Sequence, residues 1–182
     1  KHMFVQTQTT PNPNSLKFIP GKLVSNNGSF EINSKDKDEV NNDLIRNILS
    51  INGVTGIFLG EDFLSVNKKE NINWEDVKHI VISLINEFYS DGKKFIIDKK
   101  LDDEKQVDFD EIEKQIIKIL DTKVKPAVAR DGGDIKFKEF KNGVVTVQLQ
   151  GSCSGCPSSV MTLKQGVENL LRHYIPEVKE VI

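Results

Sequence analysis

The residues of this chain best suited to chemistry are two cysteines, Cys153 and Cys156, in the segment GSCSGCPSSV. They are the only cysteines among the 182 residues, and they stand three positions apart. Two thiols at this spacing are compatible with a redox couple, with half of a metal site, or with two small buried side chains. The surrounding residues have to distinguish these three interpretations.

The segment around the cysteines predicts a tight loop that runs into a helix. Pro157 follows Cys156, and because proline is favoured at the first position of a helix, Cys156 is predicted to be the N-cap. The free amides and partial positive charge of a helix start favour thiolate, which is both the nucleophile and the metal ligand. The glycines allow a tight turn and leave room beside the backbone. We therefore expect the rest of the loop to support both sulfurs: Gly151, Ser152, Ser154, Gly155 and Pro157.

The loop residues alone leave all three interpretations open. Glycine and serine neighbours argue against a purely structural pair, because a buried apolar pocket would have larger neighbours. A Cys-x-x-Cys pair at a helix start is also the thioredoxin arrangement, which supports a redox dithiol. However, no aromatic residue precedes Cys153, and the first strand-helix unit of a thioredoxin-like fold does not precede the motif.

A metal site in this loop would be short of ligands within one chain. Zinc and iron–sulfur sites normally use four protein ligands, commonly thiolates, and this chain has two. His2 precedes the expected natural start, and His79 belongs to a helix of the first half. His173 lies about 25 Å along the last helix by helical rise. The simplest source of two more thiolates is a second copy of the chain, and a cluster with only two bonds to each subunit suits a carrier.

The composition excludes several other classes of function. A formal net charge of −2 gives no electrostatic case for nucleic acid, where a basic excess should dominate affinity. No apolar run approaches the roughly 20 residues that span a bilayer, so no membrane partner is expected. Two cysteines do not make a secreted disulfide framework, so we expect a reducing compartment.

The pattern of elements predicts an α+β protein made of two small domains, each layering helices on strands. The first domain is expected at residues 3–95 and the second at residues 108–182. The segment 96–107 is charged and without period, which is typical of a short exposed linker. We assign the first domain to partner recognition or to regulation of the second.

In the first domain, two strands flank a turn in PNPN. An apolar stripe predicts a helix that begins at Asp38, includes Val40 and is stopped by Gly53. A hairpin follows, turning at residues 60–62, and Asn73 is expected to cap the next helix. The hairpin should bury one face: Ile57, Leu59, Leu64 and Val66.

In the second domain, Asp110 and Glu113 fit a capping box at the start of a helix. The segment DGGD, residues 131–134, resembles a cation or phosphate loop, but we favour a helix-to-strand connection that uses glycines with positive φ. Asn142-Gly143 predicts a two-residue hairpin turn. After the cysteine loop and its helix, VKEVI is expected to form a closing strand.

Longer segments resemble a known family. VARDGGDIKF and VQLQGSCSGCPSSVMTLKQGVENLLRHYIPEV are similar to the C-terminal domain of NifU-like proteins, the Nfu iron–sulfur cluster scaffolds and carriers. QTQTTPNPNSLKFIPGK and GVTGIFLGEDFLSVNK resemble the separate N-terminal domain of the same family. The resemblance implies that Cys153 and Cys156 ligate a [4Fe–4S] cluster bridging two subunits, although four thiolates also suit [2Fe–2S].

The resemblance further implies a non-enzymatic role. The expected partners are a second copy of the chain when the cluster is bound, apo iron–sulfur proteins as acceptors, and upstream cluster assembly proteins. The expected compartment is the bacterial cytoplasm, or the mitochondrial matrix for a trimmed eukaryotic form. The rival from another class is a thiol–disulfide oxidoreductase with Cys153 as attacking thiolate and Cys156 as resolving thiol. A structural zinc dimer is a third possibility.

Overall fold

The computed structural model describes residues 4–26, 28–94, 96, 108–154 and 157–182. Helices and strands form two α+β domains, as the sequence predicts. Nearly all of the predicted linker lies outside the described residues. Ile96, which the sequence places at the start of that linker, is buried in the core of the first domain, and its amide donates to the carbonyl oxygen of Val24 at 2.9 Å.

The first domain is a five-stranded antiparallel sheet in the order β1-β2-β5-β4-β3. Two helices cover one face of this sheet, and the apolar faces of the sheet and helices form the first core. The predicted hairpin face is fully part of that core. The strands are β1 (Gln6–Thr9), β2 (Ser15–Ile19), β3 (Phe30–Asn33), β4 (Val54–Leu59) and β5 (Leu64–Lys68), and the helices are α1 (Asp43–Leu49) and α2 (Trp74–Ser90).

The first helix begins later than the apolar stripe predicts. The side chain of Asn42 accepts a hydrogen bond from the amide of Ile45 at 3.0 Å, so the helix starts at Asp43. The prediction of one helix from Asp38 is therefore wrong: a 3-10 helix covers Ser34–Glu39, and Val40 lies between the two helices while still packing on the core. Strand β3 has no counterpart in the sequence-based prediction.

The second domain is a three-stranded sheet in the order β6-β7-β8. The first two strands form the predicted hairpin, with φ of 53° at Asn142 and 79° at Gly143. The predicted closing strand pairs in parallel with β7. The strands are β6 (Gly133–Lys141), β7 (Val144–Gly151) and β8 (Glu180–Val181), and the helices are α3 (Glu111–Ile119), α4 (Lys125–Arg130) and α5 (Pro157–Tyr174).

The sequence predicted capping residues for two helices, one in each domain. Both hydrogen bonds of the predicted capping box are present at the start of α3, whereas Asn73 occupies the N-cap position of α2 without a side-chain bond to that helix. A π-helical segment, Leu120–Val124, joins α3 to α4, and Pro126 stands in the first turn of α4. Within the described ranges, none of the helices combines the length and apolar character needed to cross a lipid bilayer.

The contribution of the capping box at the start of α3 can be tested by substitution. Oδ1 of Asp110 accepts from the amide of Glu113 at 2.8 Å, and Oε1 of Glu113 accepts from the amide of Asp110 at 3.3 Å. We expect Asp110→Ala to lower the free energy of unfolding by about 1 kcal/mol, because the amide of Glu113 loses its side-chain acceptor. Urea denaturation followed by circular dichroism measures the change.

The matched control is Asp108→Ala, which removes an exposed carboxylate two residues earlier. It should change the free energy of unfolding by less than about 0.5 kcal/mol. Equal losses in the two variants would contradict the capping role of Asp110.

Candidate metal centre

The predicted loop follows directly from the end of β7. That strand ends at Gly151, a 3-10 turn covers Ser152–Ser154, and α5 begins at Pro157. Gly155 and Cys156 lie outside the described residues, so the N-cap role of Cys156 stays a prediction. Cys153 is the middle residue of this turn, is half-buried and has a free thiol.

The sulfur of Cys153 lies against a bare stretch of backbone at Gly133. A Cβ atom placed on Gly133 would lie 2.7 Å from the Cys153 sulfur and 2.6 Å from the carbonyl oxygen of Gln150. Both distances are shorter than van der Waals contact, so a larger residue at this position would displace the cysteine turn. Glycine is required here for space and not, as the sequence-based prediction had it, for positive φ; Gly132 is the residue with positive φ, at 83°.

Hydrogen bonds tie the cysteine turn to the DGGD segment. The hydroxyl of Ser152 donates to the carbonyl oxygen of Asp131, and its amide donates to that of Gly132 at 3.3 Å. The hydroxyl of Ser154 donates to the carbonyl oxygen of Gly151 at 2.8 Å. The turn is therefore held by backbone and hydroxyl groups and needs no metal for these contacts.

The electrostatic setting of Cys153 differs from the predicted one. Burial raises the pKa of the Cys153 thiol, and the charges of Asp131 and Asp134 raise it further. The hydroxyl of Ser152, 3.9 Å from the sulfur, opposes this shift. The prediction of a thiolate-favouring site is therefore wrong for Cys153 in this conformation, because partial burial and nearby carboxylates favour the neutral thiol. Metal binding at this sulfur must release a proton.

A cavity of about 380 Å³ opens beside the sulfur of Cys153. Val128 and Leu163 of the second domain supply apolar wall, and Asp131 supplies polar wall. Pro11, which belongs to the first domain, lines the same cavity. The cavity places open volume next to one thiol, and residues of both domains bound it.

The carboxylate of Asp134 in the DGGD segment already has protein partners. The two carboxylate oxygens of Asp134 face Lys125, with Nζ at 3.8 Å, and Ser29, whose hydroxyl donates at 2.7 Å. In the part of the chain that the structure describes, no group of three or more His, Cys, Asp or Glu side chains is placed to hold a metal ion. His79 and His173 are exposed, as expected for solvated helix residues. The connection between α4 and β6 is the better interpretation of DGGD.

The first domain contacts the cysteine turn, and the sequence did not reveal this. Nδ2 of Asn12 donates to the carbonyl oxygen of Ser152 at 3.3 Å, and Oε2 of Glu31 accepts from the amide of Gly151 at 3.0 Å. Burial raises the pKa of the Glu31 carboxyl, and the hydrogen bond from Gly151 opposes this shift. The PNPN segment forms the predicted turn, and its Asn12 also forms a hydrogen bond with the second domain.

Comparison with known proteins supports the resemblance in both domains. The profile described as "NifU-like domain" matches residues 116–182, and that described as "Scaffold protein Nfu/NifU N terminal" matches residues 5–92. The human protein named "NFU1 iron-sulfur cluster scaffold homolog, mitochondrial" is 40% identical over 183 residues, which cover 100% of this chain and 72% of the human protein. The chain belongs to the NifU-like (Nfu) family.

A plant relative gives the same assignment. The Arabidopsis thaliana protein named "NifU-like protein 4, mitochondrial" is 40% identical over 185 residues, covering 98% of this chain. The chain spans 65% of the length of that relative. A solution structure of a NifU-like protein from Saccharomyces cerevisiae shares 30% sequence identity with a TM-score of 0.49, covering 53% of this chain and 86% of that one. The two profiles and the human and Arabidopsis relatives confirm the predicted family membership.

The contact at Gly133 predicts a large effect of a single methyl group. We expect Gly133→Ala to lower the free energy of unfolding by about 1–3 kcal/mol, because the new Cβ overlaps the Cys153 sulfur and the backbone at Gln150. Urea denaturation of the apo chain measures this loss.

Gly166→Ala is the matched control, since a Cβ at this position in α5 meets nothing within 4 Å. It should raise the free energy of unfolding by about 0.5–1 kcal/mol through helix propensity. A Gly133→Ala chain as stable as the native chain would contradict the close packing of the sulfur on residue 133.

Proposed function

We propose that this chain carries an iron–sulfur cluster, [4Fe–4S], between two copies of itself and delivers it to acceptor proteins. The cluster is cargo, held by Cys153 and Cys156 of each copy. The observation that carries the proposal is the ligand count of the cysteine loop: two thiols in a chain of a family whose relatives are named iron–sulfur cluster scaffolds. A cluster with four protein ligands then requires two chains.

The surroundings of Cys153 support this role. Cys153 is half-buried and lines a cavity, so open volume adjoins the thiol. The turn that carries it is held by Ser152 and Ser154 through bonds that a cluster would not replace. Among the described residues, no three His, Cys, Asp or Glu side chains are grouped to hold a metal ion, which is consistent with ligands supplied by Cys156 and by a second chain.

Delivery then proceeds by ligand exchange without oxidation or reduction. An acceptor thiol loses its proton and bonds to an iron atom as thiolate, and the bond from that iron to a carrier thiolate breaks. The released cysteine takes up a proton.

The raised pKa of Cys153 does not distinguish the carrier from the rival oxidoreductase, because a metal ligand and an attacking nucleophile are both thiolates. The carrier is favoured because relatives of this chain are named iron–sulfur cluster scaffolds. The proposed role is accordingly that of a non-enzymatic carrier, with upstream assembly proteins as donors and apo iron–sulfur proteins as acceptors. The relatives from human and Arabidopsis are named mitochondrial, which supports a mitochondrial compartment.

Single cysteine variants test the ligand assignment. We expect Cys153→Ala and Cys156→Ala each to abolish the brown chromophore and the bound iron after anaerobic reconstitution with iron and sulfide. The apo fold should stay intact, since hydroxyl and backbone bonds hold the turn. Visible absorption, iron and sulfide analysis and circular dichroism measure the three properties.

Gln148→Ala serves as the control, because Gln148 is exposed on the strand that leads into the loop. It should bind iron like the native chain. A Cys156→Ala chain that still held a full complement of iron and sulfide would contradict the assignment of that residue as a ligand.

A further inference from the structure

A row of side chains crosses the first domain's sheet on the face opposite its helices. Strand pairing aligns the residues in the order Lys17, Ser65, Phe58 and Glu31, on β2, β5, β4 and β3. We call these four residues the docking row. Their neighbours along each strand belong to the core under the helices, and because successive side chains alternate, the docking row faces the other way. Those neighbours are Leu16, Phe18, Leu64, Val66, Ile57, Leu59, Phe30 and Ile32.

Three members of the docking row are buried and Glu31 is half-buried, although this face has no helix of its own domain. Ser65 is 0% exposed, Phe58 is 1% exposed and Lys17 is 9% exposed. A lysine and a serine on a strand would ordinarily mark a solvated face. The second domain supplies the cover.

Each member of the docking row contacts the segments that hold the cysteine turn. Nζ of Lys17 donates to the carbonyl oxygen of Ala129 at 3.0 Å, and the hydroxyl of Ser65 donates to that of Gly132 at 2.7 Å. The other two members meet Gly151: Glu31 accepts from its amide, and the ring of Phe58 lies 3.1 Å from the position of a Cβ there.

These contacts are specific because the buried polar groups have defined partners. Burial lowers the pKa of the Lys17 ammonium, while Asp62 and Asp131 oppose the shift. A buried donor without an acceptor costs free energy, so the ammonium and the Ser65 hydroxyl favour surfaces that present carbonyl oxygens at these two positions. The end of α4 and the DGGD turn present them.

We propose that the docking row closes the first domain over the cysteine turn of its own chain, and that this contact must open before a second chain can share the cluster. The inference rests on the proposed function. Asn12 donates a hydrogen bond to the carbonyl oxygen of Ser152, and Pro11 forms part of the wall of the cavity beside Cys153. The first domain therefore occupies space next to the thiol that two further thiolates and a cluster would need. The closed form is the resting state of the apo carrier.

A wedge in the docking row tests the closure. Ser65→Arg places a long charged side chain where Ser65 meets Gly132, without entering the core under the helices. Gln8→Arg is the matched control, since Gln8 pairs with Lys17 at the end of the same row but is exposed on the edge strand. Both are made with and without Cys156→Ser, which leaves Cys153 as the only thiol.

The apo chains are first treated with iodoacetamide and examined by small-angle X-ray scattering. We expect Ser65→Arg to speed alkylation of Cys153 by about tenfold, the change produced by losing about 1.4 kcal/mol of docking free energy. Its radius of gyration should rise. Gln8→Arg should match the native chain in both measurements. Native-like alkylation and scattering of a folded Ser65→Arg chain would overturn the docking proposal.

A second pair of variants decides the question if the arginine disturbs folding. Lys17→Ala removes an ammonium that bonds across the domains, whereas Lys68→Ala removes one that bonds to Asn14 within its own domain. The two lysines are equally buried, at 9% and 8% exposed. Faster alkylation in Lys17→Ala alone supports the closure, and equal rates in the two variants contradict it.

Cluster uptake by the chains with both cysteines tests the gate itself. Opened variants should acquire the visible chromophore faster than the native chain during anaerobic reconstitution, and uptake at the native rate would overturn the gate. Absence of uptake in every chain, the native one included, would contradict the proposed function and the gate that rests on it. The alkylation and scattering results would in that case still decide the docking.

Discussion

The cysteine turn depends on the close approach of two glycine-containing backbone segments. A Cβ on Gly151 would lie 2.5 Å from the carbonyl oxygen of Gly132, and one on Gly133 would lie 2.7 Å from the Cys153 sulfur. Side chains larger than hydrogen would separate these segments and move the sulfur. The hydrogen bonds of Ser152 to residues 131 and 132 are possible only at this separation. The position of the thiol thus follows from backbone packing in the apo chain.

The same glycines form the surface that the first domain contacts. Ser65 reaches the carbonyl of Gly132, and Phe58 packs where a side chain on Gly151 would stand. One local arrangement therefore serves two purposes: it holds Cys153 in place and presents carbonyl and amide groups to the docking row. This coupling gives the first domain, which has no evident chemistry of its own, a physical connection to the cysteine loop.

Two features that depend on residues close together in the sequence were predicted correctly. The capping box at Asp110 and the hairpin turn at Asn142 depend on neighbours in sequence, and both have the expected geometry. Alternation likewise predicted the helix-facing side of the hairpin. The buried contact on the opposite face of the sheet could not be predicted, because its lysine, serine and glutamate are typical of a solvated face. Phe58 was the only residue of the docking row that did not fit a solvated face. The packing role of Gly133 and the raised pKa of Cys153 also arise from segments that meet only in the folded chain.

The central claim is that one cluster is shared by two chains, each contributing two thiolates. Its most direct test is native mass spectrometry of the full chain after anaerobic reconstitution with iron and sulfide. The account predicts a species with the mass of two 20.5 kDa chains and one [4Fe–4S] cluster, together with apo monomer. A single chain that holds a complete cluster, or a dimer that holds one cluster per chain, would contradict it.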